Sequence, residues 1–206
     1  MRIGLDFDNT IIRFDDVFRN VAKQRGLLPA DFSGSKQQIR DTIRLQPDGE
    51  LKWQALQGYV YGKGIQGATP FAGVGDFLRC ARSSGDAVVV VSHKTEFGHF
   101  DPDYVNLRQA AMQWMHEQGF FAVQGFALLP SNVHFASSRS EKLSRIGELA
   151  CDVYVDDLAE VLADPAFPGS VRRILFSEHA DRADDLPYEI GRDWAAIKQM
   201  VFFDQR

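Results

Sequence analysis

Two carboxylates one residue apart, Asp6 and Asp8, followed directly by Asn9 and Thr10, close the segment RIGLDFDNTII at residues 2–12. Ile3-Gly4-Leu5 before them reads as a short buried strand. Buried charge is costly unless it is paired or bound to a cation. A strand that ends in two acids therefore belongs at the rim of a sheet, where the carboxyl ends of parallel strands hold ligands. Two later apolar runs end in the same way. Asp86 to Val91 is nearly continuous in valine and leads into Ser92-His93-Lys94, and Val153-Tyr154-Val155 leads into Asp156-Asp157. In a parallel sheet these ends converge on one crevice. Four carboxylates there repel one another unless something positive joins them. Hard oxygen ligands suit Mg²⁺, which takes one or two carboxylates plus waters and a phosphate. Lys142, early in the helix that precedes the Asp156-Asp157 strand, can bring a positive charge to the same place.

The elements that must position these residues are legible from periodicity. Phe14, Val17, Phe18, Val21 and Ala22 mark one helix face within residues 13–25. Ser35-Lys36-Gln37-Gln38 has the form of a capping box opening a helix to about Leu45. A third helix is expected from Glu50 to about Tyr61, with Trp53, Leu56 and Val60 inward. Further helices are expected over Phe71–Ser84, Tyr104–Gln118, Ser140–Leu149 and Trp194–Phe203, and further strands over Asn132–Ala136 and Val171–Phe176. Strands alternate with helices through the second part of the chain. That points to an α/β fold with a Rossmann-like parallel sheet flanked by helices and joined by right-handed crossovers. Between the first two strands lies an all-helical stretch of about 60 residues, far beyond the usual βα connection. The expected division is a core of residues 1–13 and 70–206 with a small helical subdomain at 14–69.

The bulk composition narrows the function classes. With 206 residues and 45% hydrophobic residues, the chain can bury a sizeable core and is not disordered. Its net charge of −5 and the lack of a Lys/Arg run argue against a nucleic-acid binder. No apolar run reaches the 18 or more residues of a membrane span, and no apolar leader precedes the first acids. Cys80 and Cys151 have no metal-like spacing and read as buried thiols of a cytoplasmic protein.

The ordered set Asp6-Phe7-Asp8-Asn9-Thr10, Ser92, Lys142 and Asp156-Asp157, each acidic or hydroxyl motif following a hydrophobic strand, resembles the haloacid dehalogenase (HAD) superfamily over residues 2 to about 162. The resemblance implies a capped phosphatase, with the helical insert as the cap. It implies that Asp6 is a nucleophile forming an aspartyl-phosphate, and that Asp8 protonates the leaving oxygen and later deprotonates water. Residues i and i+2 point the same way on an extended backbone, which suits that division of labour. Ser92 and Lys142 are implied to hold the phosphoryl oxygens. Asn9, Thr10, His93 and Lys94 are candidate substrate contacts. Mg²⁺ is implied as cofactor, bound by Asp6, the backbone carbonyl of Asp8, and Asp156 or Asp157, with Glu160 an outside candidate. Position 9 departs from the pattern, being Asn where many members have Gly. The expected partner is a small phosphate ester, a sugar phosphate or nucleotide, with no nucleic acid and no membrane; oligomeric state is open. A phosphomutase on the same fold and a non-catalytic phospho-ligand-binding domain are the rival readings.

Three other features have a plain reading beside the sharp one. Gly62, Gly64 and Gly67 spell GxGxxG, but the dinucleotide fingerprint needs a preceding strand and an opening helix, so the segment reads as a hinge. Lys36, Arg40 and Arg44 line one helix side, as a solvated face or, with Arg13, as a cationic wall for a second anionic group. His93, His99, Asp101 and Asp103 cluster in one loop without a compact metal-ligand spacing.

Overall fold

The computed structural model describes residues 1–98, 100, 103–180 and 185–204. His99 and Asp101 lie outside the described residues. In chain order the elements are β1 (Arg2–Leu5), β2 (Ile12–Arg13), α1 (Asp15–Gln24), α2 (Lys36–Arg44), α3 (Gly49–Tyr61), β3 (Thr69–Pro70), α4 (Val74–Ser83), β4 (Ala87–His93), α5 (Leu107–Glu117), β5 (Val133–Ala136), α6 (Arg139–Glu148), β6 (Val153–Asp156), α7 (Ala159–Leu162), β7 (Arg172–Phe176), β8 (Glu189–Gly191) and α8 (Trp194–Phe202). No helix among the described residues is long and apolar enough to cross a membrane.

The chain divides into two compact units. The first comprises Met1–Ile12, Pro70–Lys94 and Gly119–Arg206. Its sheet has six strands in the order β5-β4-β1-β6-β7-β8, all neighbours parallel. From β1 the chain moves outward to β4 and β5, then returns to β6 on the other side of β1. The order therefore reverses at β1, the kind of point at which open α/β sheets bind ligands. Leu5 pairs with Val90 on one side and Val155 on the other, so the ends of β4, β1 and β6 lie in one row. Ile3, Leu5, Val90, Val91 and Val155 are wholly buried, as expected for strands covered on both faces. Gly4 is required at the centre. A Cβ there would lie 2.6 Å from the Tyr154 ring and 2.9 Å from Cys151 Sγ. The close approach lets Tyr154 on β6 reach across β1 and donate its hydroxyl proton to the Val91 carbonyl on β4.

The second unit comprises Arg13–Thr69 and Thr95–Gln118. Its core is aromatic: Phe18 stacks on Trp53 at 5.2 Å, and Phe14 meets Tyr61 edge-on at 4.9 Å. The capping box at Ser35 forms in both directions, with Gln38. From sequence, residues 95–118 group with the core, because strand–helix alternation continues through them. Here α5 belongs to the helical unit. It buries Leu107, Ala111, Trp114 and Met115, and the Trp114 indole donates to the Ala68 carbonyl at 3.0 Å. The GxGxxG segment follows a helix and forms a 3-10 turn, Lys63–Gly67, so it lacks the context of a dinucleotide site. Cys151 is buried, and burial pushes its thiol up to about 11, whereas Cys80 is only partly covered.

Candidate active site

At the carboxyl edge of the sheet the first unit gathers Asp6, Asp8, Thr10, Ser92, Lys94, Lys142, Asp156 and Asp157. Asp6 follows β1 directly, and its backbone N–H donates to the Val155 carbonyl at 2.9 Å, which holds β1 and β6 in step to their ends. Lys142 is presented by α6, whose N-cap Ser138 accepts from the Glu141 amide. Its ammonium lies 2.7 Å from Asp6 Oδ1 and 2.6 Å from Asp156 Oδ2. The other oxygen of Asp156 accepts from the Leu158 amide at 2.9 Å. Carboxylate oxygens of Asp6, Asp156 and Asp157 come within 4.8 Å of one another. All are hard donors, so the set fits a Mg²⁺ ion.

The electrostatics follow from burial. Removal from water pushes the Asp6 carboxyl up to about 7; the contact with Lys142 opposes this, and nearby Asp156 and Asp8 add to it. Burial alone favours a neutral Lys142, but Asp6 and Asp156 outweigh it and hold the ammonium above the ordinary lysine range. One buried cation between two buried carboxylates leaves the cluster short of positive charge.

Asp8 has its own cation. Lys94, one residue beyond β4, places its Nζ 3.0 Å from Asp8 Oδ1 and 2.8 Å from Oδ2. From sequence alone Lys94 is only a candidate substrate contact. Its pairing depends on β4 and β1 being neighbours, which no local pattern encodes. Asn9 adopts φ 59°, in the left-handed region. Asn tolerates that conformation better than most residues, which accounts for Asn at this position. The turn is closed by Ile11 and Ile12 amides on the Phe7 carbonyl, at 3.0 and 3.1 Å. Thr10 Oγ1 and Ser92 Oγ are buried hydroxyl oxygens that find no hydrogen-bond partner among the described residues. Such groups are costly to bury unless a ligand completes them. The Thr10 carbonyl accepts from the Trp194 indole at 3.1 Å, anchoring the loop to α8.

Other candidates lie elsewhere. His93 is exposed, with Nε2 3.2 Å from the Ser137 carbonyl. Glu160 is an exposed partner of Arg139. In the helical unit, Arg40 pairs with Asp41 at 2.9 Å and Arg44 with Glu50 at 2.6 Å, as a solvated face does. Lys36 turns to the Tyr61 hydroxyl at 2.8 Å, and Arg13 lies 3.6 Å from Asp15.

No protein-family model and no curated protein matches the sequence. Solved structures do match its shape. A haloacid dehalogenase-like family hydrolase from Streptococcus pneumoniae aligns at TM-score 0.59 and 14% identity, over 95% of each chain. Protein tyrosine kinase A of Mycobacterium tuberculosis aligns at TM-score 0.60 and 16% identity, over 97% of this chain and 96% of that one. A predicted phosphoglycolate phosphatase from Haemophilus somnus 129pt aligns at TM-score 0.54 and 13% identity, over 96% of each chain. The chain thus has the fold of the haloacid dehalogenase-like hydrolases.

Proposed function

We propose that the protein is a Mg²⁺-dependent phosphatase that hydrolyses a small phosphomonoester, a sugar phosphate or a nucleotide. The observation that carries this reading is the pair of separately held acids. Asp6 sits on Lys142 and Asp8 on Lys94, beside the two orphaned hydroxyls of Thr10 and Ser92. Because one fold hosts many chemistries, the residues rather than the fold support the assignment.

In this reading Asp6 attacks phosphorus and the ester bond to the leaving oxygen breaks. Asp8 gives that oxygen a proton, then takes one from the water that cleaves the aspartyl-phosphate. Ser92, Thr10 and Lys142 hold the phosphoryl oxygens. Asp6, the Asp8 backbone carbonyl, and Asp156 or Asp157 are the residues that would hold Mg²⁺, which supplies charge neutralisation to the phosphoryl group when bound. The helical unit inserted after Ile12 serves as the cap that selects the leaving group.

Phosphate release from a panel of phosphomonoesters tests the proposal, with Mg²⁺ and with chelator, for wild type, Asp6→Asn and Asp8→Asn. Metal-dependent release that both substitutions abolish is the expected result. Phosphoryl movement within a substrate without free phosphate would instead identify a mutase. Ligand binding without turnover would identify a binding domain.

A further inference from the structure

We propose that Lys94 is a positioning residue that aims the Asp8 carboxyl at the leaving oxygen; this rests on the assignment of Asp8 as the acid–base group. The two lysines of the crevice divide their work. Lys142 spans Asp6 and Asp156. Lys94 touches both oxygens of Asp8, at 2.8 and 3.0 Å. A contact to both oxygens fixes the plane of a carboxyl group, which otherwise turns about its last torsion.

The placement is built rather than incidental. Lys94 follows β4 directly, and its backbone N–H donates to the Ala136 carbonyl on β5 at 2.9 Å, so the side chain starts from a rigid strand end. Its side chain is 2% exposed, whereas that of Asp8 is 18% exposed. The ammonium also lies 5.6 Å from the centroid of the Phe7 ring. Burying a long, flexible, charged side chain costs conformational entropy and hydration. Contact with both Asp8 oxygens offsets part of that cost, and Asp8 keeps more exposure than Lys94.

The proton inventory is simple. As the phosphorus–oxygen bond breaks and the phosphoryl group joins Asp6, the Asp8 carboxyl proton passes to the leaving oxygen. Lys94 takes no part in the proton transfer and hydrogen-bonds the carboxylate that results. Asp8 recovers a proton from water in the second step.

The test compares kcat/KM for an alkyl phosphate, whose leaving oxygen needs a proton, with that for p-nitrophenyl phosphate, whose leaving group departs as a stable anion. This ratio reports only the steps up to departure of the leaving group. For Lys94→Met we expect a fall of about 100-fold on the alkyl ester and less than about fivefold on the aryl ester. Lys94→Gln, which retains an uncharged NH₂ donor group, should show the same bias in weaker form and covers the case in which Lys94→Met does not fold. Asp8→Asn combined with Lys94→Met should be no worse on the alkyl ester than Asp8→Asn alone, because both remove one function. An equal fall on both esters would show that Lys94 holds the phosphoryl group or the fold, and would overturn the proposal. So would additive effects in the double variant, or no fall on the alkyl ester. The alkyl ester is the best substrate of the phosphomonoester panel; if the folded wild type with Mg²⁺ releases phosphate from no member of that panel, the phosphatase reading falls and this proposal with it. A working wild type with an unbiased Lys94 variant overturns the role of Lys94 alone.

Discussion

Lys142 Nζ lies 2.7 Å from Asp6 Oδ1, although 136 residues separate the two in the chain. The same ammonium holds Asp156, so one buried cation serves two buried carboxylates. Lys142→Met should therefore leave two buried carboxylates without their cation. The expected loss of folding stability is about 3–5 kcal/mol in chelator, the usual cost of breaking a buried pair. Mg²⁺ should return part of it if Asp6, Asp156 and Asp157 bind the ion. Urea unfolding with and without Mg²⁺ checks both statements, and an unchanged midpoint in chelator would rule out the pairing as a stabilising contact.

The Asp6 carboxyl gives a pH signature to the metal-free protein. Burial raises it to about 7 in the folded state, from an ordinary value of 3.8. Between those values the folded state holds a proton that the unfolded state has released. The Asp6 contribution to stability is therefore fully present below the unfolded value and is lost as pH rises towards 7. Asp6→Asn removes this slope. In chelator, the variant should gain stability relative to wild type as pH rises from about 4 to about 7. A constant difference between the two unfolding curves across that range would count against a raised Asp6.

Gly4→Ala probes the packing behind the site. The added methyl meets the Tyr154 ring at 2.6 Å and Cys151 Sγ at 2.9 Å, in the middle of a sheet. Overpacking of this kind costs about 1–3 kcal/mol. Displacing Tyr154 also breaks its hydrogen bond to Val91, adjacent to Ser92. Thermal unfolding and kcat should both fall, and wild-type values for both would show that the ring moves freely.

Trp194→Phe removes the indole N–H from the Thr10 carbonyl while keeping an aromatic ring in place. Leaving a buried acceptor unsatisfied costs about 1–3 kcal/mol. The loop that carries Asp8 and Thr10 loses its anchor to α8, so the loss should be accompanied by a lower kcat. Proteolysis and phosphate-release assays read the two effects separately.

The chain order of hydrophobic runs and acids determined much of this protein on its own. Valine-rich β4 and the short runs of β1 and β6 can be stable only as buried strands, and acids at their ends can be placed only at a rim. The Ser35 capping box and the apolar stripe of α1 are local, because hydrogen bonds and side-chain contacts three or four residues apart create them. Tertiary structure decided what depends on neighbours distant in the chain. That Lys94 meets Asp8 follows from β4 lying beside β1. That α5 belongs with the helical unit follows from what Trp114 finds to bond, the Ala68 carbonyl. The two-residue strands β2 and β3 and the three-residue β8 carry no periodicity of their own. Pairing with a partner strand defines them, so sequence patterning left them unmarked.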